Sequence, residues 1–290
     1  MDPIRLGIIG GSGLYRMEGL TGVREHVTTT PFGAPSDAFL LGKLNGIDVA
    51  FLARHGRSHG LIPIEIPFRA NVYAMKALGV QYLLSVSAVG SMREDIAPLD
   101  MVLPDQFIDC TRKREDSSFG DGAVAHVSLA DPVCEVLRGV LAEAFADAGF
   151  ADIRLHPGGT YVCIEGPAFS TRAESNWYRG LGASLIGMPN MPEARLAREA
   201  EIAYATLALA TDWDCWHSQQ ACVTAEMAIA NLQGNAQRAQ TVLTHAVQRI
   251  AATWPESAAH SALGSALVTP PAAMSEAVRT RLHALIARYA

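Results

Sequence analysis

The segment that decides the fold is Leu6-Gly7-Ile8-Ile9-Gly10-Gly11-Ser12-Gly13, an apolar run of strand length that ends in glycines and a serine. Two further segments share this design, Ala53-Arg54-His55-Gly56-Arg57 and Ala210-Thr211-Asp212-Trp213-Asp214. Parallel strands are buried on both faces and present polar groups at their carboxyl ends, where α/β proteins bind ligands. Glycines and cations suit an oxyanion, whereas paired carboxylates suit a proton donor. The sequence therefore predicts one crevice with an anion site beside an acid pair.

Apolar, β-branched runs recur along the chain, with helical patterns between several of them. The predicted strands are Leu6–Ile9, Val49–Leu52, Tyr82–Val86, Met101–Leu103, Tyr161–Ile164, Leu185–Ile186 and Ala205–Leu209. The predicted helices are Arg69–Leu78, Thr171–Gly180, Pro192–Ala200, Ala225–Ile250 and Ser275–Tyr289. This alternation predicts an α/β fold with a central mixed, largely parallel twisted sheet flanked by helices.

The sequence has no internal repeat and no convincing domain boundary. We therefore expect residues 1–290 to form a single domain. A stretch rich in Pro, Ser and Ala at about 254–274 is expected to be a connector that leads to a C-terminal helix at about 275–289.

Composition narrows the class of protein. Of 290 residues, 49% are hydrophobic and 18% charged, which favours a globular chain with extensive burial, subunit contacts included. A net charge of -6 without a basic run disfavours nucleic-acid binding, and no apolar window is long enough to predict a membrane span. The five cysteines are odd in number and widely spread, and the first residues lack a signal-peptide pattern. These features predict a cytoplasmic protein.

The glycine-rich end of the first segment allows the backbone to approach an anion closely. Exposed N–H groups and the Ser12 hydroxyl can donate to phosphate oxygens. A dinucleotide fingerprint needs Gly or Ala three positions after Gly13, but the chain has Arg16 there, so the G-x-G-x-x-G interpretation fails. The segment alone is also compatible with a plain tight turn.

Arg54 and His55 are the candidate cationic ligands of phosphate. An arginine fork grips phosphate in a fixed orientation, and a histidine can donate and share part of the charge. Solvated loop cations are one alternative, and a metal bound by His55 and His59 is another, although no H-E-x-x-H pattern supports it. At a third strand end, the Ser87 hydroxyl and the Ala88 N–H can reach the same ligand, although a strand-to-helix turn is equally compatible with this segment.

Asp212 and Asp214 are the candidate general acid. Alternate positions of a strand point to one face, and two close carboxylates resist ionising together, which raises the pKa of one of them. The alternative is that both cap a turn. Phe169, between a strand and a helix, can stack on a flat heterocycle or anchor the helix, and Met188 can line the face of a sugar.

Five ordered segments resemble the 5′-methylthioadenosine phosphorylase family of trimeric purine nucleoside phosphorylases. They are Gly7–Gly13, Ala53–Arg57, Asp105–Asp109, Ile164–Pro167 and Asp212–Trp216. The resemblance runs from about Leu6 to Asn231. It implies phosphorolysis of methylthioadenosine to adenine and 5-methylthioribose 1-phosphate, in methionine and purine salvage, by a homotrimer that needs no metal or organic cofactor.

The same resemblance implies a role for each matched residue. The phosphate ligands would be Ser12, Arg54, His55 and Ala88. The nucleoside would be bordered by Phe169 and Ser170 at the base, by Met188 at the ribose, and by His126, Ala225, Ala228, Ile229 and Val268 at the methylthio group. His126 and Val268 would come from a neighbouring subunit. Asp212 and Asp214 would bind and protonate adenine, because negative charge gathers on the purine as the glycosidic bond stretches.

Two departures from the family pattern carry predictions. The family usually has threonine after Met188, whereas this chain has Pro189, which offers neither a hydroxyl nor an N–H, so phosphate affinity should be weak. Ala225 and Ala228 are smaller than the aliphatic residues often found at their positions, so longer 5′-alkylthio groups should fit.

Four other functions are left open by the sequence. A hydrolytic methylthioadenosine nucleosidase would use water in place of phosphate. A phosphorylase of 6-oxopurines or methylthioinosine is disfavoured, because an ionised carboxylate accepts from a 6-amino group and repels a 6-keto oxygen. A nucleotide-binding oxidoreductase domain is disfavoured by Arg16. A nucleoside-binding protein without activity would keep the pocket and show no turnover.

Overall fold

The computed structural model describes residues 3–11, 14, 17–217 and 225–290, except the side chains of residues 225–230, 232 and 233. Within these residues, the strands are β1 Leu6–Gly10, β2 Leu20–His26, β3 Phe39–Leu44, β4 Ile47–Ala53, β5 Tyr82–Ser91, β6 Met101–Val102, β7 Gln106–Asp109, β8 Leu155–His156, β9 Thr160–Cys163, β10 Leu185–Gly187 and β11 Ala203–Asp212. The α-helices are α1 Phe68–Ala77, α2 Glu135–Ala148, α3 Arg172–Gly180, α4 Asn190–Glu199, α5 Ala225–Thr253 and α6 Glu276–Ile286. None of the helices in this part of the chain is both long and apolar enough to cross a bilayer.

The strands form one mixed sheet with β5 at its centre. Strand β5 pairs in parallel with β1 and β11 and in antiparallel with β10. The order across the sheet is β2-β3-β4-β1-β5-β10-β9-β7, and β11, β6 and β8 form a branch that starts at β5. Parallel pairings also join β1 to β4, β9 to β10, β7 to β9 and β6 to β8. The predicted α/β fold with a mixed, largely parallel sheet is therefore confirmed.

Helices cover both faces of the sheet because alternate strand residues point to opposite sides. In β4, for example, Val49 and Phe51 belong to the core cluster under α2 and α5. Their neighbours Ala50 and Leu52 belong to the cluster under α1, α4 and α6. The central strands are buried on both faces, which explains why their sequences are continuous apolar runs.

The five predicted helices are present, with ends that differ by a few residues. A capping box begins α3: the Thr171 hydroxyl accepts from the Glu174 N–H, and the Glu174 carboxylate accepts from the Thr171 N–H. The sequence missed α2 and the strands β2, β3, β7 and β8. Strand β2 is largely exposed and lacks an apolar run, β8 has only two residues, and the apolar run of β3 is short. The strand predicted over Tyr82–Val86 continues to Ser91, so the strand-to-helix turn considered for Ser87 is wrong.

Candidate active site

A cavity of about 320 Å3 lies at the carboxyl ends of β1, β4, β5, β10 and β11. The predicted site residues that line it are Arg54, His55, Ser87, Ala88, Phe169, Ser170, Met188, Asp212 and Asp214. They come from strand ends that are far apart in sequence. The structure thus brings the cationic segment and the acidic segment to one crevice, because neighbouring strands of the sheet end at the same edge.

The other predicted site residues are not in this group. Ser12 lies outside the described residues, as do the side chains of Ala225, Ala228 and Ile229. His126 and Val268 do not line the cavity and lie on an exposed ribbon, where a β-bridge joins residues 125 and 267. The Val268 side chain is 59% exposed, so another molecule can contact it.

The guanidinium of Arg54 is fully buried, and its fork is occupied by Glu193. Nε donates to one carboxylate oxygen of Glu193 at 2.7 Å, and Nη2 donates to the other at 3.0 Å. Nη2 also donates to the Ser85 hydroxyl, and Nη1 donates to the Val86 carbonyl. Four of the five N–H groups are thus engaged by described residues, and one on Nη1 has no partner among them. The fork is occupied by Glu193 in this structure, and the role of Arg54 as a phosphate ligand stays a prediction.

A buried network fixes Glu193 in turn. One of its carboxylate oxygens accepts from the Ser85 hydroxyl at 2.8 Å and from the Tyr204 hydroxyl at 2.9 Å. The Asn190 side chain donates to the same tyrosine oxygen. Because these partners satisfy the carboxylate, the buried charge of Arg54 is compensated and its orientation is set before any ligand binds.

His55 is a neutral imidazole at neutral pH. Burial, together with the positive charge of Arg54, lowers the pKa of His55 to about 4. The hydrogen bond to the Leu61 carbonyl opposes this shift. Its Nδ1 lies 2.9 Å from the Leu61 carbonyl oxygen, which can only accept, so Nδ1 carries the proton. Nε2 is then an acceptor, suited to the O–H of a protonated phosphate. His55 also stacks on His59 with ring centroids 4.5 Å apart.

The metal alternative finds no support in the described part of the chain. No three His, Cys, Asp or Glu side chains there are grouped as ligands. The stacked arrangement of His55 and His59, with Nδ1 of His55 turned to a carbonyl, is a poor geometry for a shared ion.

The acid pair lines the same cavity as the cations. A register shift between Ala210 and Asp212 ends the regular pairing of β11, and Asp214 has a left-handed backbone with a φ of 49°. The carboxylates reach the cavity through this turn instead of through a continued strand. Asp212 accepts from the Thr211 hydroxyl at 2.7 Å and from the Asp214 N–H at 2.8 Å. Gly90 leaves room for the pair, since a Cβ there would lie 2.9 Å from an Asp212 oxygen.

Both carboxyl groups hold a proton more firmly than a solvated aspartate does. Burial raises the pKa of Asp212, and the negative charge of Asp214 adds to this effect. Burial also raises the pKa of Asp214. A raised pKa brings an acid closer to the range in which it can donate a proton near neutral pH.

The turn after β11 is anchored from outside the cavity. The Trp216 indole N–H donates to the Ser91 carbonyl at 2.8 Å, and the Arg179 guanidinium lies 3.7 Å from the indole centroid. From α5, the Asn231 side chain donates to the Thr211 carbonyl at 2.7 Å. These contacts limit the motion of the segment that carries the acid pair.

Phe169 and Ser170 form the wall beside the acid pair. Phe169 is 49% exposed at the cavity, so its alternative role as a core anchor of the helix is wrong. The buried Ser170 hydroxyl has no hydrogen-bond partner among the described residues. An exposed ring and a free hydroxyl are the groups that a planar heterocycle with polar edges requires.

Sequence reasoning missed two charged residues that organise the cavity, Glu193 and Arg114. Glu193 binds the fork of Arg54, and Arg114 donates to backbone carbonyls beneath two segments of the cavity wall. A glutamate at an otherwise apolar helix position is a signal that a buried partner exists. That partner lies 139 positions away in the chain, and nothing local identifies it.

Comparisons with known proteins identify the family of the chain. A family model described as the Phosphorylase superfamily matches residues 5–248. The chain is 60% identical over 285 residues to the S-methyl-5′-thioadenosine phosphorylase of Thermosynechococcus vestitus, covering 98% of this chain and 99% of that protein. It is 57% identical over 284 residues to the enzyme of the same name from a Synechocystis strain, covering 98% of this chain and 87% of that protein.

Solved structures give the same result. A methylthioadenosine phosphorylase from an antarctic soil metagenomic library has a TM-score of 0.94 and 58% identity, covering 98% of this chain and 99% of that one. A methylthioadenosine phosphorylase from Schistosoma mansoni, in complex with adenine, has a TM-score of 0.82 and 36% identity, covering 86% and 92%.

Proposed function

Because the chain belongs to the phosphorylase superfamily, and within it to the S-methyl-5′-thioadenosine phosphorylases, we propose that it cleaves S-methyl-5′-thioadenosine with inorganic phosphate. The products are adenine and 5-methylthioribose 1-phosphate, so the enzyme is a pentosyltransferase of methionine and purine salvage. The observation that carries the proposal is that Arg54, His55, Asp212 and Asp214 line one cavity. The reaction uses phosphate as co-substrate and needs no metal or organic cofactor.

The acid pair acts on the base. As the bond between C1′ and N9 breaks, its electron pair moves to the purine, and a proton from the pair at N7 makes adenine a neutral leaving group. Burial raises the pKa of both Asp212 and Asp214, which favours holding one proton in the pair. The ionised partner accepts from the 6-amino group and repels a 6-keto oxygen, which favours adenine over 6-oxopurines.

Phosphate acts on the sugar. The ribosyl carbon becomes oxocarbenium-like as adenine leaves, and an adjacent phosphate anion stabilises it and then forms the new C–O bond. We assign phosphate to the remaining N–H of Arg54, to His55, and to Ser87 and Ala88 at the β5 edge of the cavity. Ser12 belongs to the same set by its match to the family.

The test is cleavage of methylthioadenosine with and without phosphate, with the sugar product identified by mass spectrometry. We expect adenine release to depend on phosphate and to yield 5-methylthioribose 1-phosphate. If adenine release is unchanged without phosphate and the product is free methylthioribose, the enzyme is a hydrolase. This alternative is tested because Arg54 has a single N–H without a partner among the described residues and Pro189 offers no hydroxyl.

The complete enzyme is proposed to be a cytoplasmic homotrimer in which a neighbouring subunit supplies His126 and Val268 to the methylthio group. Their exposed position outside the chain's own cavity supports this arrangement. Mass photometry should give three times the chain mass of 30.9 kDa. A fully active monomer would exclude the shared site.

A further inference from the structure

Arg114 lies beneath the cavity wall with all five N–H groups engaged, and its side chain is 1% exposed. Nη1 donates to the carbonyls of Met188 at 2.5 Å and Met191 at 2.6 Å. Nη2 donates to the carbonyls of Ile164 at 3.2 Å and Glu165 at 2.9 Å, and Nε donates to the Glu165 carboxylate at 2.9 Å. One planar group thus holds two segments that are about twenty residues apart.

These two segments carry adjoining walls of the cavity. The first, residues 164–170, ends in Phe169 and Ser170, which line the base side. The second, residues 188–191, begins with Met188, which lines the sugar side. The walls touch at Gly166, where a Cβ would lie 2.5 Å from the Met188 sulfur. A change in the separation of the segments would therefore move the base wall relative to the sugar wall.

Neighbouring groups hold this clamp in place. The Glu165 carboxylate accepts from the backbone N–H groups of Arg112 at 2.7 Å and Lys113 at 2.9 Å, which closes the loop that carries Arg114. The Cys163 thiol donates to the Met188 carbonyl at 3.1 Å. The loop that carries Arg114 thus orients the guanidinium from one side, and Cys163 at the end of β9 lies on the other side.

We propose that Arg114 is a positioning residue that fixes the distance between the base wall and the sugar wall of the nucleoside site. This role rests on the proposed function, because it assigns adenine and ribose to those walls. The phosphate ligands Arg54 and His55 follow β4, and in the described part of the chain no hydrogen bond joins Arg114 to either of them. Loss of the clamp therefore weakens nucleoside binding, and it affects phosphate binding less, because β5 also holds Arg54 through Ser85 and Val86 and the Leu61 carbonyl holds His55.

The test is Arg114→Lys, which keeps the charge but replaces a planar fork by one ammonium that cannot span both segments. We expect the adenine Kd from calorimetry to rise at least about tenfold, the methylthioadenosine KM to rise with it, and the phosphate Kd of the free enzyme to change by less than about twofold. Arg112→Lys is the matched control, because its exposed side chain lies in the same loop and its contact with Glu165 is made by the backbone.

A second variant covers the case in which Arg114→Lys fails to fold. Glu165→Gln weakens the Nε contact and the two backbone contacts of the same carboxylate, but it leaves the four carbonyl contacts of Arg114 in place. It should raise the adenine Kd about threefold and change the phosphate Kd less. The proposal is overturned if a folded variant binds adenine normally, or if its adenine and phosphate affinities fall in parallel as in a general loss of structure. Absence of phosphorolysis in the unaltered enzyme would instead refute the proposed reaction, since the adenine measurement requires no turnover.

Discussion

Replacing Pro189 by threonine should strengthen phosphate binding. Pro189 is buried in the cavity wall at the N-cap of α4 and can donate no hydrogen bond there. The two residues expected to bind phosphate through charge offer little, because Arg54 has one N–H without a partner among the described residues and His55 is neutral with its proton on Nδ1. A hydroxyl added to so poor a donor set should have a large effect.

A hydrogen bond to a charged acceptor contributes about 1.5–3 kcal/mol, which corresponds to about tenfold to a hundredfold in affinity. Threonine must order its side chain to make this bond, so the lower end applies. We expect the phosphate KM of Pro189→Thr to be about tenfold below that of Pro189→Val, which has nearly the same shape without the hydroxyl. The valine variant separates the hydroxyl from the loss of the proline ring.

The assay is the initial rate of adenine release against phosphate concentration at saturating methylthioadenosine. Equal phosphate KM values for the threonine and valine variants would refute the reasoning. Thermal unfolding is the control for this comparison. Similar Tm values for the threonine and valine variants would show that a difference in KM does not come from a difference in stability.

Three further changes probe the two ends of the cavity. Asp214→Asn should lower kcat about 10²–10⁴-fold in a single-turnover assay, because the pair loses a proton donor; unchanged turnover would exclude it from acid catalysis. Glu193→Gln should raise the phosphate KM and lower the free energy of unfolding in urea by about 3–5 kcal/mol, because it leaves the buried charge of Arg54 unpaired; unchanged values would contradict the network. The pKa of His55 is about 4 in the folded state and 6.5 in the unfolded state, so the free energy of unfolding should fall by up to about 3 kcal/mol as the pH drops from 6.5 to 4. His55→Gln should reduce this pH dependence in urea titrations.

The sequence predicted the part of the site that depends on strand ends. An apolar run followed by polar residues predicts a buried strand and the edge at which it ends, so Arg54 and Asp212 could be placed in one crevice before the structure was known. The turn that brings Asp214 to the cavity was not predictable, because it depends on a register shift in β11 and a left-handed residue with no glycine to signal it.

The partners of the charged groups were not predictable either. Arg54 suggested a phosphate fork, but its fork is bound by Glu193 from α4, and the Nδ1 of His55 is held by the carbonyl of Leu61. Arg114 gave no signal, because its five acceptors lie on segments brought together only by the fold, and four of them are backbone carbonyls that have no sequence signature. Local patterns predict where a group lies, and tertiary packing decides what remains free to bind.

The pairing of Arg54 with Glu193 has a consequence for catalysis. A full arginine fork would neutralise much of the phosphate charge and stabilise the bound ground state, whereas catalysis requires interactions that strengthen in the transition state. Because Glu193 occupies the fork and His55 is neutral, bound phosphate keeps more of its negative charge to face the developing sugar cation. On the proposed assignment of phosphate, the predicted weak phosphate affinity and the stabilisation of the oxocarbenium ion would have the same structural cause. The gain in phosphate binding from Pro189→Thr should accordingly come without a gain in kcat, since a new hydrogen bond to phosphate draws charge away from the sugar.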